Sequence, residues 1–403
     1  MNVTENSSGK FEPLSKPASG RRKWIASGLV LTSSVLALGW ICWSKESVVL
    51  PKHVSRAEYD AACLEFADLF HRKPTPPDVM MLLAETALRD DRPEVAVDCF
   101  ARVSSEHPRY GASARLQEAQ VLLRSNRAKM AEDSFRAFLK LAQNKTSIPQ
   151  DHVRLARDWL VFMLAVELRI EDRKLILQQM IQERQFDVYD AKQYYFPTLL
   201  IWQSTLGSSR LREFLEQSPE DRRLLIAEAR YRVAEGRLDA ASRLLESLRQ
   251  QDPGDSNVIA ASLECLYEQV NWTKFESILA AAPAFASDEP WLLTHMRAEF
   301  AVHRQDWGTA EMHFRHMLTA DPANPACHMG LAKALLGLGR TEDRKALQER
   351  SLILARIRVN LSAAGNNSAT AIRVLAQDAR SLQMDEAADS FEYLADRIDG
   401  GVR

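Results

Sequence analysis

Cysteine is scarce and scattered. Five occur in 403 residues, Cys42, Cys63, Cys99, Cys265 and Cys327, and no two have the CxxC spacing of a paired motif. An odd, dispersed set excludes a disulfide framework and reads as apolar filling. Charge of one sign is missing too. Lys and Arg number 52 against 54 Asp and Glu, a net charge of −2, with no acidic tail and no basic field of the kind that holds nucleic acid. Glycine (15) and proline (16) are few, so little interrupts long helices. The short motifs of common chemistries are also absent: GxxxxGK before Ser or Thr, GxGxxG, GxSxG, HExxH and CxxCH. No cofactor is implied, and the chain reads as a non-enzymatic protein.

One long apolar run is present. Residues 24–43, WIASGLVLTSSVLALGWICW, are 20 in number and carry no charge. A helix of that length spans about 30 Å of hydrocarbon. Trp24, Trp40 and Trp43 sit near its ends, where amphipathic rings favour the membrane interface. Lys10, Lys16, Arg21, Arg22 and Lys23 precede the run, and Lys45, Lys52 and Arg56 follow it. That bias predicts a single-pass transmembrane helix over 24–43. It places a disordered tail, residues 1–23, in the cytoplasm and the C-terminal domain outside the cytoplasmic membrane. The competing reading is a cleaved export signal and a soluble exported protein, with Ala37-Leu38-Gly39 as a weak cleavage site. The full spanning length and the aromatics beyond it favour the anchor. Residues 44–54, with Pro51, read as a tether.

Beyond the tether the chain is periodic. Residues 291–322, WLLTHMRAEFAVHRQDWGTAEMHFRHMLTADP, make two helical runs of about a dozen residues around a turn at Gln305-Asp306-Trp307-Gly308. Counting from Trp291, small Ala298 and Ala310 fall at positions 8 and 20, bulky Phe314 at 24 and Pro322 at 32. Small residues let two helix backbones approach, and the bulky one fills the space beside them. This pattern resembles the tetratricopeptide repeat, a 34-residue helix–turn–helix. The resemblance implies an all-α, right-handed superhelical solenoid that serves as a platform for protein recognition. One such hairpin cannot bury its apolar face alone, so neighbours must stack on it.

The same spacing recurs along residues 55–398. Residues 55–72 read as a lone second helix, with Ala62, Phe66 and Leu69. Clear repeats fall near 77–110, 112–144, 222–255, 256–287, 291–324 and 325–361. In the fourth of these Phe275 stands where a small residue is expected, so packing must differ there. Residues 151–218 and 368–398 are degenerate. In the first, the small residues are absent or shifted and Pro197 should break a helix. It reads either as divergent repeats or as a specialised binding segment built on Trp159, Tyr194, Tyr195 and Trp202.

Candidate binding residues follow from the resemblance. Positions 2, 5, 9, 12 and 13 of the first helix line the groove of such stacks. Here they include Glu85, Arg89, Gln120, Arg124, Arg230, Glu264, Tyr267, Glu268, His295, Glu299, His303 and Lys333. The expected occupant is a protein segment. Glu264, Glu268 and Glu299 with His295 and His303 read as a patch that is acidic at neutral pH and gains charge on its histidines below about pH 6.5. A second reading uses His295, His303, His313, His316 and His328, five of nine histidines within 34 residues, as a metal-binding or enzyme-associated cluster. Against it, helix rise separates His295 from His303 by roughly 12 Å.

Overall fold

A computed structural model describes residues 76–144, 148–197, 204–363 and 368–400. The expected span at 24–43, its tether and the lone helix over 55–72 lie outside the described residues. Among those described there are 18 α-helices and no strand. They are α1 (Pro77–Arg89), α2 (Pro93–Arg102), α3 (Gly111–Arg124), α4 (Ala128–Asn144), α5 (Gln150–Val166) and α6 (Ile170–Gln182). Then come α7 (Val188–Tyr195), α8 (Ser204–Gln217), α9 (Arg222–Ala234), α10 (Leu238–Gln251), α11 (Ser256–Glu268) and α12 (Trp272–Ala280). The last six are α13 (Trp291–His303), α14 (Trp307–Ala320), α15 (Pro325–Gly337), α16 (Thr341–Ala363), α17 (Ala369–Ser381) and α18 (Asp385–Asp399). No helix among the described residues is long and apolar enough to cross a membrane.

Local chemistry sets the helix starts. Asp221, Asp255, Asn271, Asp306, Asn324 and Ser368 each accept a backbone N–H in the first turn of α9, α11, α12, α14, α15 and α17. Trp307 and Gly308 therefore belong to helix α14, not to the turn expected there; Asp306 caps it. The helix ends share one device. In the turns inside the helix pairs, a residue two beyond the helix adopts a left-handed backbone, and only Gly236 and Gly339 are glycines. Asp91, Asn126, Leu168, Val270, Gln305 and Gln383 do the same work with side chains.

Packing follows the repeat spacing. Ala84, Ala96, Ala119, Ala131, Ala229, Ala241, Ala298 and Ala310 are all 0% exposed, and so are Phe100, Phe135, Phe314 and Phe391 beside them. Most consecutive helices pack in chain order, α7 with α8 and α12 with α13 being the exceptions, and first helices of successive repeats also touch: α9 with α11, α11 with α13, α13 with α15. In the fourth repeat Phe275 is buried, stacked on Phe300 of α13 with centroids 5.4 Å apart. An aromatic pair thus occupies the space that a small residue leaves open elsewhere.

The degenerate segment departs from this order. α7 stops at Tyr195, and Pro197 follows two residues on. α7 packs against α18 at the far end of the chain, and α8 returns to α5 as well as meeting α9. The described stack is thereby tied back on itself.

Candidate protein-binding groove

The first helices α9, α11, α13 and α15 present Arg230, Glu264, Glu299 and Lys333 at the same position, the ninth, of successive repeats. Two links join this ladder. Arg230 donates from Nε to Glu264 Oε2 at 2.8 Å and from Nη2 to Oε1 at 3.3 Å. One repeat on, the Tyr267 hydroxyl donates to Glu299 Oε2 at 3.3 Å. His295 Nε2 lies 3.5 Å from the other Glu299 oxygen, an ion-pair distance once the ring is protonated.

Aromatic rings line the same surface. Trp272 stacks face to face on His303 at 3.9 Å, with the Tyr267 ring edge-on at 5.7 Å. Trp291 lies tilted over His295 at 5.2 Å. Glu268 and Lys333 are exposed. A continuous strip thus runs from Arg230 to His303 across three repeats. Sequence spacing placed its charged members, but it missed Trp272 and Trp291. Their signal was available: a large aromatic at the start of a helix, next to a groove position.

One acid of the strip is paired within it. Burial alone would lower the Arg230 pKa, but the carboxylates of Glu264 and then Glu171 raise it above the usual value. Glu264 is therefore held in a two-point ion pair. Glu299 already accepts the Tyr267 hydroxyl, whose own pKa is raised by burial and by that carboxylate. Glu268 is exposed to solvent. The surface combines these carboxylates with aromatic rings.

The histidines that cluster in the sequence do not converge in the fold. His303 belongs to the Trp272 stack. His313 is buried under the edge of Phe285 at 4.8 Å, and burial, with Arg297 nearby, pulls its pKa down to about 4. His316 meets the same ring at 5.4 Å. His328 is buried and donates from Nε2 to Pro322 O at 2.8 Å. Cys327 is buried, its thiol pushed up by burial and by Asp321. Among the described residues no group of three or more His, Cys, Asp or Glu is placed to hold a metal ion.

The irregular segment places its aromatics elsewhere. Trp159 pairs edge-on with Phe162 at 6.0 Å. Tyr195 is buried and bonds Ser390 Oγ at 2.8 Å, and its hydroxyl donates to Glu386 O at 3.2 Å. Trp202 lies outside the described residues.

Residues 232–293 match the family model of the tetratricopeptide repeat. Over that stretch the chain is similar to the tetratricopeptide repeat family. The matched stretch runs from α9 to the start of α13 and so contains Glu264, Tyr267 and Glu268. A search of curated proteins finds no match. Three solved structures illustrate the likeness among known folds. A tetratricopeptide repeat protein from Parabacteroides merdae is 10% identical over 64% of this chain and 98% of its own, with a TM-score of 0.32. The human IFIT1 dimer with m7Gppp-AAAA is 11% identical over 86% of this chain and 96% of its own, TM-score 0.35. The APC/C hetero-tetramer Cut9-Hcn1 is 12% identical over 86% of this chain and 94% of its own, TM-score 0.30.

Proposed function

We propose that this protein is a non-enzymatic scaffold that captures a protein segment on the strip from Arg230 to His303. The observation that carries this reading is the continuity of the strip. Polar and aromatic side chains of successive repeats are fixed against one another, as a preorganised recognition surface requires. Repeats of this kind bind proteins generally. Residues 24–43 supply the second half of the proposal. They anchor the chain in the cytoplasmic membrane with the repeats outside it, in assembly, envelope biogenesis or secretion. The uncharged run and the basic triplet before it support this arrangement.

A photo-cross-linker in place of Glu268 tests the strip in native membranes. It should yield a discrete protein adduct that the same group at exposed Leu352, on helix α16, does not. Equal labelling from both positions would sink the reading. Salt-resistant membrane association and an intact mass that includes residue 1 test the anchor; a mass beginning near residue 40 would establish the exported soluble form instead.

A further inference from the structure

The strip already has a neighbour from its own chain. Helix α6 of the irregular segment reaches it across 120 residues of sequence: Glu171 Oε1 accepts the Trp291 N–H at 3.0 Å, at the first turn of α13. That carboxylate also acts on Arg230. One turn later on α6, the Lys174 ammonium donates to Ala320 O at the end of α14. A negative group sits at a helix N-terminus and a positive group at a helix C-terminus, the favourable pairing for helix dipoles. Two side chains of one helix thus grip one helix pair at its open end, where α13 begins and α14 finishes.

The segment beyond α6 is latched to the last helix pairs. Lys192 donates to Leu361 O at 3.2 Å. Tyr195 bonds Ser390 and Glu386 as described, and Phe196 stacks on Phe391 at 5.9 Å. Arg184 lies over the Tyr393 ring at 4.5 Å, and Arg397 donates to Phe186 O at 3.3 Å. Yet the fit over the strip is loose. Leu175 on α6 is 58% exposed, and α6 has no extensive backbone packing with α13 or α14, which it meets through the polar contacts of Glu171 and Lys174. A covering element with a firm latch and a light grip is built to be displaced.

We propose that residues 170–196 form an autoinhibitory strap: α6 occupies part of the partner strip, and α7, docked on α18, holds it there. A captured segment must then compete with Glu171 for the start of α13. The proposal rests on the strip being the binding surface, so its test separates the two.

In the full-length protein, Glu171→Gln with Lys174→Ala removes the grip, and Tyr195→Phe weakens the latch. All three leave the repeat cores intact. Hydrogen exchange should show amides in the first turn of α13 and in α7 exchanging at least about 10-fold faster in the variants, with α10 and α11 unchanged. Cross-linking from position 268 should rise several-fold in the same variants. Exchange of α7 in step with the whole molecule, unaltered by the variants, would show the strap to be part of the core and overturn the proposal. Faster exchange without a rise in adducts would overturn it too, since the opening would not gate capture. If position 268 gives no adduct in any variant, the strip reading fails, and a strap with no binding surface to cover fails with it; exchange then reports only a local opening.

Discussion

Gly330 shows how far a single residue sets the spacing of the repeats. A Cβ added there would lie 2.1 Å from Cζ of Phe314 and 2.4 Å from Cε1. Phe314 is fully buried among Ala298, Ala310 and Leu331, so the ring has nowhere to withdraw. Two effects oppose each other in Gly330→Ala. Helix propensity favours the alanine by about 1 kcal/mol, while overpacking of a fixed core costs about 1–3 kcal/mol. The clash is with three ring atoms at once, so overpacking wins. Gly330→Ala should lower the urea midpoint of unfolding, while Gly339→Ala, at a left-handed turn with open space around it, should act through backbone strain alone. Equal stability of Gly330→Ala and wild type would mean that the helices separate freely there. The alanines and Phe314 were visible in the sequence because the repeat fixes their spacing. Gly330 was not, because its demand comes from the preceding repeat.

At the scale of elements, regular repeats are legible and the irregular ones are not, for a physical reason. Helix pairs with Ala at both contact positions reveal themselves; α5 to α8 lack that pair of alanines, and their turns at Leu168 and Arg184, left-handed without glycine like those at Val270 and Gln305, leave no sequence mark to replace it. The start of α7 is another such case. Asp187 caps the helix by accepting from Tyr189 N and Asp190 N, and Asp190 returns the favour to Asp187 N at 2.9 Å. Asp190 also accepts from Arg154 of α5 at 2.6 Å. Burial, then the Asp187 carboxylate, push the Asp190 pKa up to about 7, against the pull of Arg154. Asp158 and Tyr189 stand nearby. The folded state therefore holds a proton that the unfolded chain releases near pH 4, and this group's contribution falls as pH rises from about 4 to 7. Asp190→Asn should flatten that part of the pH–stability profile relative to wild type. The comparison is needed because His313, depressed to about 4, contributes in the opposite sense between about pH 4 and 6.5. An unchanged difference between the two proteins from pH 5 to 8 would remove Asp190 from the account.

At the scale of the molecule, a tetratricopeptide stack is expected to behave as a one-dimensional array in which each repeat feels only its neighbours. That expectation came directly from the sequence, and it is incomplete. Periodicity reports contacts between adjacent repeats; the docking of α7 on α18 joins residues 195 positions apart, Tyr195 to Ser390, and no local spacing encodes it. Closure has a mechanical consequence. Phe196→Ala and Phe100→Ala remove equally buried rings, and each should cost about 3–5 kcal/mol. In an open array both lesions would loosen only their own neighbourhoods. In the tied-back stack, Phe196→Ala also strips Phe391 of its stacked partner. Hydrogen exchange in α17 and α18 should therefore accelerate on Phe196→Ala and stay at the wild-type rate on Phe100→Ala, although Phe100 is also far from the C-terminus in sequence. Loss of protection confined to α5–α8 in the Phe196 variant would show that the contact with α18 carries no stability, and that the array is linear after all.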